Sequence, residues 1–173
     1  MKKLVYILLL LLLSFLSFSQ TKNVFDIARN GTLNEIKQIY NENKSAIDST
    51  NDKSFSPLIL ACYKNNEEVA LFLIEKTADI NYRSNIGNAL MAAVMKGNLK
   101  VINSLLEKKV DLNSQDQEGN SALYFATLTN QNEIVKLLLK AGAKIDLKNN
   151  ADEIPLDIAK RNKNTELIIL LNI

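Results

Sequence analysis

The sequence predicts an all-α fold, a solenoid of stacked helix-turn-helix units joined by short finger loops, and two recurrences carry that expectation. Ser56-Pro57-Leu58-Ile59-Leu60-Ala61 returns as Asn88-Ala89-Leu90-Met91-Ala92-Ala93, as Ser121-Ala122-Leu123-Tyr124-Phe125-Ala126 and as Ile154-Pro155-Leu156-Asp157-Ile158-Ala159, with the leucines stepping by 32, 33 and 33 residues. A second block keeps the same register: Leu73 to Asn81, Leu105 to Asn113, Leu138 to Asp146. A period of this length marks stacked supersecondary units rather than a single closed core.

Met1 to Ser19 stand apart from the repeat. Lys2 and Lys3 precede an unbroken apolar run, Leu4 to Leu13, that continues through Phe15, Leu16 and Phe18. This is the plan of a signal peptide, with small residues Ser17 and Ser19 placing cleavage between Ser19 and Gln20. The alternative is an uncleaved anchor, for which Leu4 to Phe18 falls short of the ~20 residues of a spanning helix. Residues 20–173 then form the repeat domain, with units at 23–53, 54–84, 85–116, 117–149 and 150–173.

Each inner unit begins with a capping residue, Ser56, Asn88 or Ser121, before Pro or Ala in the first turn, where a missing or uncapped amide is tolerated. A second helix follows, with Val69, Leu73 and Ile74 as its apolar face, or Val101, Leu105 and Leu106, or Ile134, Leu138 and Leu139. Helices this short do not persist alone, so their apolar faces are hidden only by stacking. Ala93 and Ala126 let paired helices approach closely, and a large side chain there is expected to overpack the stack by about 1–3 kcal/mol. The first unit, Val24 to Gly31 and Leu33 to Tyr40, keeps both helices with polar residues outward and reads as the N-terminal cap. The last ends in Leu167-Ile168-Ile169-Leu170-Leu171, apolar for a cap, and is expected either to be buried or to dock a partner.

From about Asn23 to the end the chain resembles the ankyrin repeat, whose period is 33 and whose first helix carries a T-P-L-H-x-A pattern. The unit from Asp116-Gln117-Glu118-Gly119 to Leu137-Leu138-Leu139-Lys140-Ala141-Gly142-Ala143 matches most closely. The chain departs from the family in four places. The His of the first helix is replaced by Ile59, Met91, Tyr124 and Asp157, so the ladder that it makes between units is expected to be absent and stability modest. Spacing shortens by one residue around Asn85-Ile86-Gly87, which should tighten that finger. The turn glycine is present as Gly31 and Gly97 but becomes Asn65 and Asn130, residues that tolerate a left-handed backbone. Before the finger only Gly142 survives, against Thr77 and Lys109.

The resemblance implies a module that binds another protein through a concave face made by the fingers and the exposed ends of the first helices. Carried over position by position, the finger candidates are Phe55, Arg83, Gln115, Asn120 and Lys148. Those on the helix ends are Tyr63, Lys64, Met95, Lys96, Leu128 and Thr129. Phe55, Tyr63, Met95 and Leu128 would form an apolar strip inside a charged rim, the composition of a contact surface.

Composition narrows the alternatives. The chain has 21 basic and 19 acidic groups, and losing Lys2 and Lys3 leaves nineteen of each, which argues against a nucleic-acid or electrostatic membrane surface. With no His, no Trp and one Cys, neither a His-based triad, nor a His or zinc site, nor an internal disulfide is expected. No catalytic residue, cofactor or metal is therefore assigned. Cys62, between Ala61 and Tyr63, reads as packing. Glu67-Glu68 and Asp152-Glu153 are sequence neighbours that do not face each other on a helix, so they make poor acid/base pairs. Asn30-Gly31-Thr32 and Asn43-Lys44-Ser45 match the N-glycosylation acceptor but carry no meaning in a bacterial host, which the Lys- and Asn-rich, Gly-poor composition suggests. The expected protein is exported, secreted or periplasmic, and monomeric. The other reading is a scaffold tethered by an uncleaved N-terminus.

Overall fold

The computed structural model describes residues 23–172. The signal-peptide expectation for residues 1–19, its cleavage site and Ile173 lie outside these residues.

Among the described residues ten α-helices follow one another in pairs, the all-α solenoid that the repeat predicts. They are α1 (Val24–Asn30) and α2 (Leu33–Glu42), α3 (Pro57–Lys64) and α4 (Glu67–Lys76), α5 (Ala89–Lys96) and α6 (Leu99–Glu107), α7 (Ala122–Leu128) and α8 (Asn132–Lys140), and α9 (Pro155–Arg161) and α10 (Thr165–Leu171). A 3₁₀ turn, Lys44–Asp48, closes the first unit. The odd-numbered helices lie side by side as an inner row, each packed on the next. The even-numbered helices form an outer row behind them.

The predicted caps are in place. Ser56 Oγ accepts from Ile59 N at 3.3 Å, Asn88 Oδ1 from Met91 N at 3.1 Å and Ser121 Oγ from Tyr124 N at 3.2 Å. Asn65, Gly97, Asn130 and Lys163 end the inner helices or their turns with φ between 54° and 68°. Gly31 does not: its φ is −85°, and glycine is needed there because a Cβ would sit 2.6 Å from Ile27 Cα. Before the fingers, Lys109 takes the left-handed conformation without glycine, whereas Thr77 is extended and avoids it.

The core is one continuous sheet of apolar side chains running through all five units. Leu90, Leu105, Leu123 and Leu138 are fully buried, as are Ala93 and Ala126 between the inner helices. Cys62 is 2% exposed, and burial pushes its thiol up to about 12, so it is packing and not a nucleophile. In α10, Leu167 and Leu171 are buried, Ile168 and Leu170 half-buried, and Ile169 is 69% exposed. The terminal run therefore caps the slab and leaves one isoleucine to solvent.

The units are tied by hydrogen bonds that replace the missing histidine ladder. Asn66 Nδ2 donates to Gly31 O at 2.9 Å, Asn98 Nδ2 to Asn65 Oδ1 at 2.8 Å, Gln131 Nε2 to Val94 O at 2.9 Å and Asn164 Nδ2 to Asn130 Oδ1 at 3.0 Å. On the finger side Asp48 Oδ1 accepts from Ala78 N, Asn81 Oδ1 from Asp111 N and Asn113 Oδ1 from Lys144 N, at 2.7–2.9 Å. Even one His position contributes: Tyr124 donates its hydroxyl to Glu153 Oε2 in the last unit at 3.0 Å. Side-chain amides at the turns thus make inter-unit bonds in the place of the histidine ladder.

Charged pairs reinforce the outer row at some steps. Lys100 meets Glu67 at 3.0 Å, Lys108 meets Glu75 at 2.7 Å and Lys136 meets Glu166 at 2.6 Å. The hydrogen bond from Tyr124, followed by the Arg161 guanidinium, holds the Glu153 carboxyl below its ordinary value, and Lys136 followed by Asn132 does the same for Glu166. A carboxylate whose folded value is depressed adds stability above its unfolded value and loses it as pH falls through the folded one. Both of these groups secure α9 and α10 to the fourth unit. The final unit is therefore expected to loosen before the central inner helix on acidification: amide exchange in 155–171 should accelerate below the ordinary carboxylate range before that in 89–96, a helix that carries no carboxylate. Simultaneous acceleration in both segments would show that these carboxylates do not control the junction.

Candidate concave binding site

Three of the four fingers are built alike. Asn51, Asp116 and Asn149 each fold a loop around their own side chain, accepting from the amides two and four residues on: Lys53 and Phe55, Glu118 and Asn120, Ala151 and Glu153. Each loop has one residue at positive φ, Ser54, Gly119 or Asp152. The remaining finger is one residue shorter. Ser84 and Gly87 exchange both backbone bonds at 3.1 Å, so only Asn85 and Ile86 project, the tightening expected from the shortened period.

A groove of ≈ 760 Å³ opens over this short finger. Its helix wall is Leu60, Tyr63 and Lys64 of α3, Met95 of α5 and Phe125 of α7, with Arg29 of α1 at one end. The finger wall is Asn51, Asp52, Lys53 and Phe55, then Asn85 and Ile86, then Asp116, Gln117 and Glu118. Tyr63 is 37% and Met95 41% exposed, large apolar surfaces offered to the groove. Lys96 Nζ lies 4.8 Å from the Tyr63 ring centroid, which fixes the ring by a cation–π contact.

Of the candidates named from sequence, the groove gathers Phe55, Tyr63, Lys64 and Met95. The others lie elsewhere. Arg83 donates to Gln115 O at 2.7 Å, Gln115 to Lys148 O at 2.9 Å, and Asn120 Oδ1 accepts from Asn149 Nδ2 at 3.1 Å, so these side chains stitch fingers together. Thr129 Oγ1 bonds back to Phe125 O, and Lys148 pairs with Asp152 at 3.3 Å. Leu128 is 39% exposed and, like Lys96, lies outside the groove. Arg29, Ile86, Phe125, Asp116 and Glu118 were not among the candidates. Phe125 is half-buried in the step of the apolar motif next to Tyr124, a position that the motif alone reads as core.

Among the described residues, no group of three or more His, Cys, Asp or Glu is arranged to hold a metal ion, and no helix is long and apolar enough to cross a membrane.

Two family models match this architecture. Ankyrin repeats (3 copies) matches residues 90–172, and Ankyrin repeats (many copies) matches residues 58–102. The chain is an ankyrin-repeat protein. It is also similar to the palmitoyltransferase ZDHHC17 of Danio rerio, 43% identical over 47 residues, which is 27% of this chain and 8% of that protein. The chain therefore covers a small fraction of that relative. Ankyrin-repeat domains are generally non-catalytic modules that mediate binding to other proteins, and this one is a protein-interaction solenoid.

Proposed function

We propose that this ankyrin-repeat protein is an exported binding module, secreted or periplasmic, that occupies the surface of one partner protein through its concave groove and so inhibits or protects an envelope or secreted protein. The observation that carries the concave reading is the convergence of Phe55, Tyr63 and Met95 on a single groove of ≈ 760 Å³. Solvent-exposed aromatic and methionine side chains inside a polar rim are the usual anchors of a protein interface. Export rests on the Lys2-Lys3 start and the Leu4 to Leu13 apolar run.

The test is a cross-linked pull-down from the native envelope fraction, run with the parent and with a Phe55→Ala, Tyr63→Ala, Met95→Ala variant of matched circular dichroism. A protein retained by the parent and lost from the variant is the expected result. Equal capture by both moves the interaction off the groove, and finding the intact N-terminus in membranes replaces export with tethering.

A further inference from the structure

The groove is electrically asymmetric along its length, and that restricts what fits. Arg29, Lys53 and Lys64 line the end formed by the first two units, with Asp52 as the acidic group among them. Asp116 and Glu118 line the other end. Arg29 is partly satisfied by Asp26 at 3.0 Å, whereas Lys53, Lys64 and Glu118 make no ion pair among the described residues. The short finger and α5 between them contribute no charge, only Asn85, Ile86 and Met95, with Phe55 and Tyr63 from the unit of Lys64 and Phe125 from the unit of Glu118.

Resting on the concave reading above, we infer that the groove takes a segment of a partner protein with an acidic residue, an apolar or aromatic anchor and a basic residue in that spatial order. The acidic side faces Lys53 and Lys64, and the basic side faces Glu118. A segment of the opposite polarity brings like charges together at both ends, which costs affinity and slows encounter. The anchor descends onto the short finger, where the missing residue leaves room between the longer loops at 51–55 and 116–120.

Panning a phage-displayed random peptide library on the full chain tests this. The expected result is enrichment of peptides with acidic, apolar and basic residues in one order, bound roughly tenfold or more weakly by a Lys53→Glu/Lys64→Glu variant, a difference of about 1.4 kcal/mol. Glu118→Lys should weaken the same peptides, and added salt should narrow the gap. Peptides without charge order, or bound equally by the charge-swapped variants, overturn the inference. If such peptides are still lost from Tyr63→Ala/Met95→Ala, the concave reading survives. Peptides indifferent to both sets of variants, or no enrichment at all, overturn the two together.

Discussion

Truncating Leu90 to alanine is expected to remove about 2–5 kcal/mol of stability, the range for a buried leucine whose cavity cannot collapse. Leu90 is fully buried in α5, the inner helix of the central unit, and α5 packs on both α3 and α7. In a solenoid each unit is held by its neighbours alone, so weakening the middle uncouples the two halves. Urea unfolding followed by circular dichroism should shift to lower denaturant and lose its single transition. Leu171→Ala is the control: Leu171 is 2% exposed at the end of α10, where only the last unit depends on it. If the two variants unfold alike, the slab is not organised as coupled nearest neighbours.

Gly87→Ala is the second large effect expected, and it joins the stack to the groove. Gly87 has φ 97°, which an L side chain rarely adopts, and a Cβ there would sit 2.1 Å from Met91 Sδ. Met91 is fully buried, so its sulfur has little room to withdraw. The left-handed backbone contributes about 1–2 kcal/mol of the penalty and overpacking about 1–3 kcal/mol. The short finger then loses the exchanged bonds between Ser84 and Gly87 that hold Asn85 and Ile86 at the groove. A lowered Tm together with weakened partner retention is the expected pair of results. Retention unchanged in a destabilised but folded variant would remove the short finger from the site.

Much of this architecture is legible in the sequence because the repeat is a local pattern copied several times. Ser56, Asn88 and Ser121 announce helix starts, Pro57 and Pro155 fix first turns, and the leucine steps set the stacking register. The shortened finger can be read from the spacing alone. What the family pattern obscured was the inter-unit bonding. With the histidine gone, the ladder looked lost, yet Asn66, Asn98, Gln131 and Asn164 recur at the same 32- and 33-residue steps and carry it. Their amides can donate across a turn while belonging to the next helix start, a role that the Asn-rich composition signals but does not localise.

The site was less legible than the stack. Tyr63 and Met95 stand where the first helix leaves the core, so their exposure follows from register. Arg83, Gln115 and Asn120 look similar in sequence, but their side chains are used between fingers, because polar groups on adjacent loops find each other before solvent. Arg29 and Phe125 reach the groove from the first and fourth units, a convergence across distant repeats that no single unit displays.

The central claim is that the groove between the fingers and the inner helices is where a partner sits. Hydrogen–deuterium exchange of the full chain, alone and with its captured partner, tests it most directly. Slower exchange confined to residues 51–55, 84–87 and 116–120 and to the C-terminal ends of α3 and α5 is the result expected. Slowing on the outer helices α6 and α8, with the fingers unchanged, would contradict it.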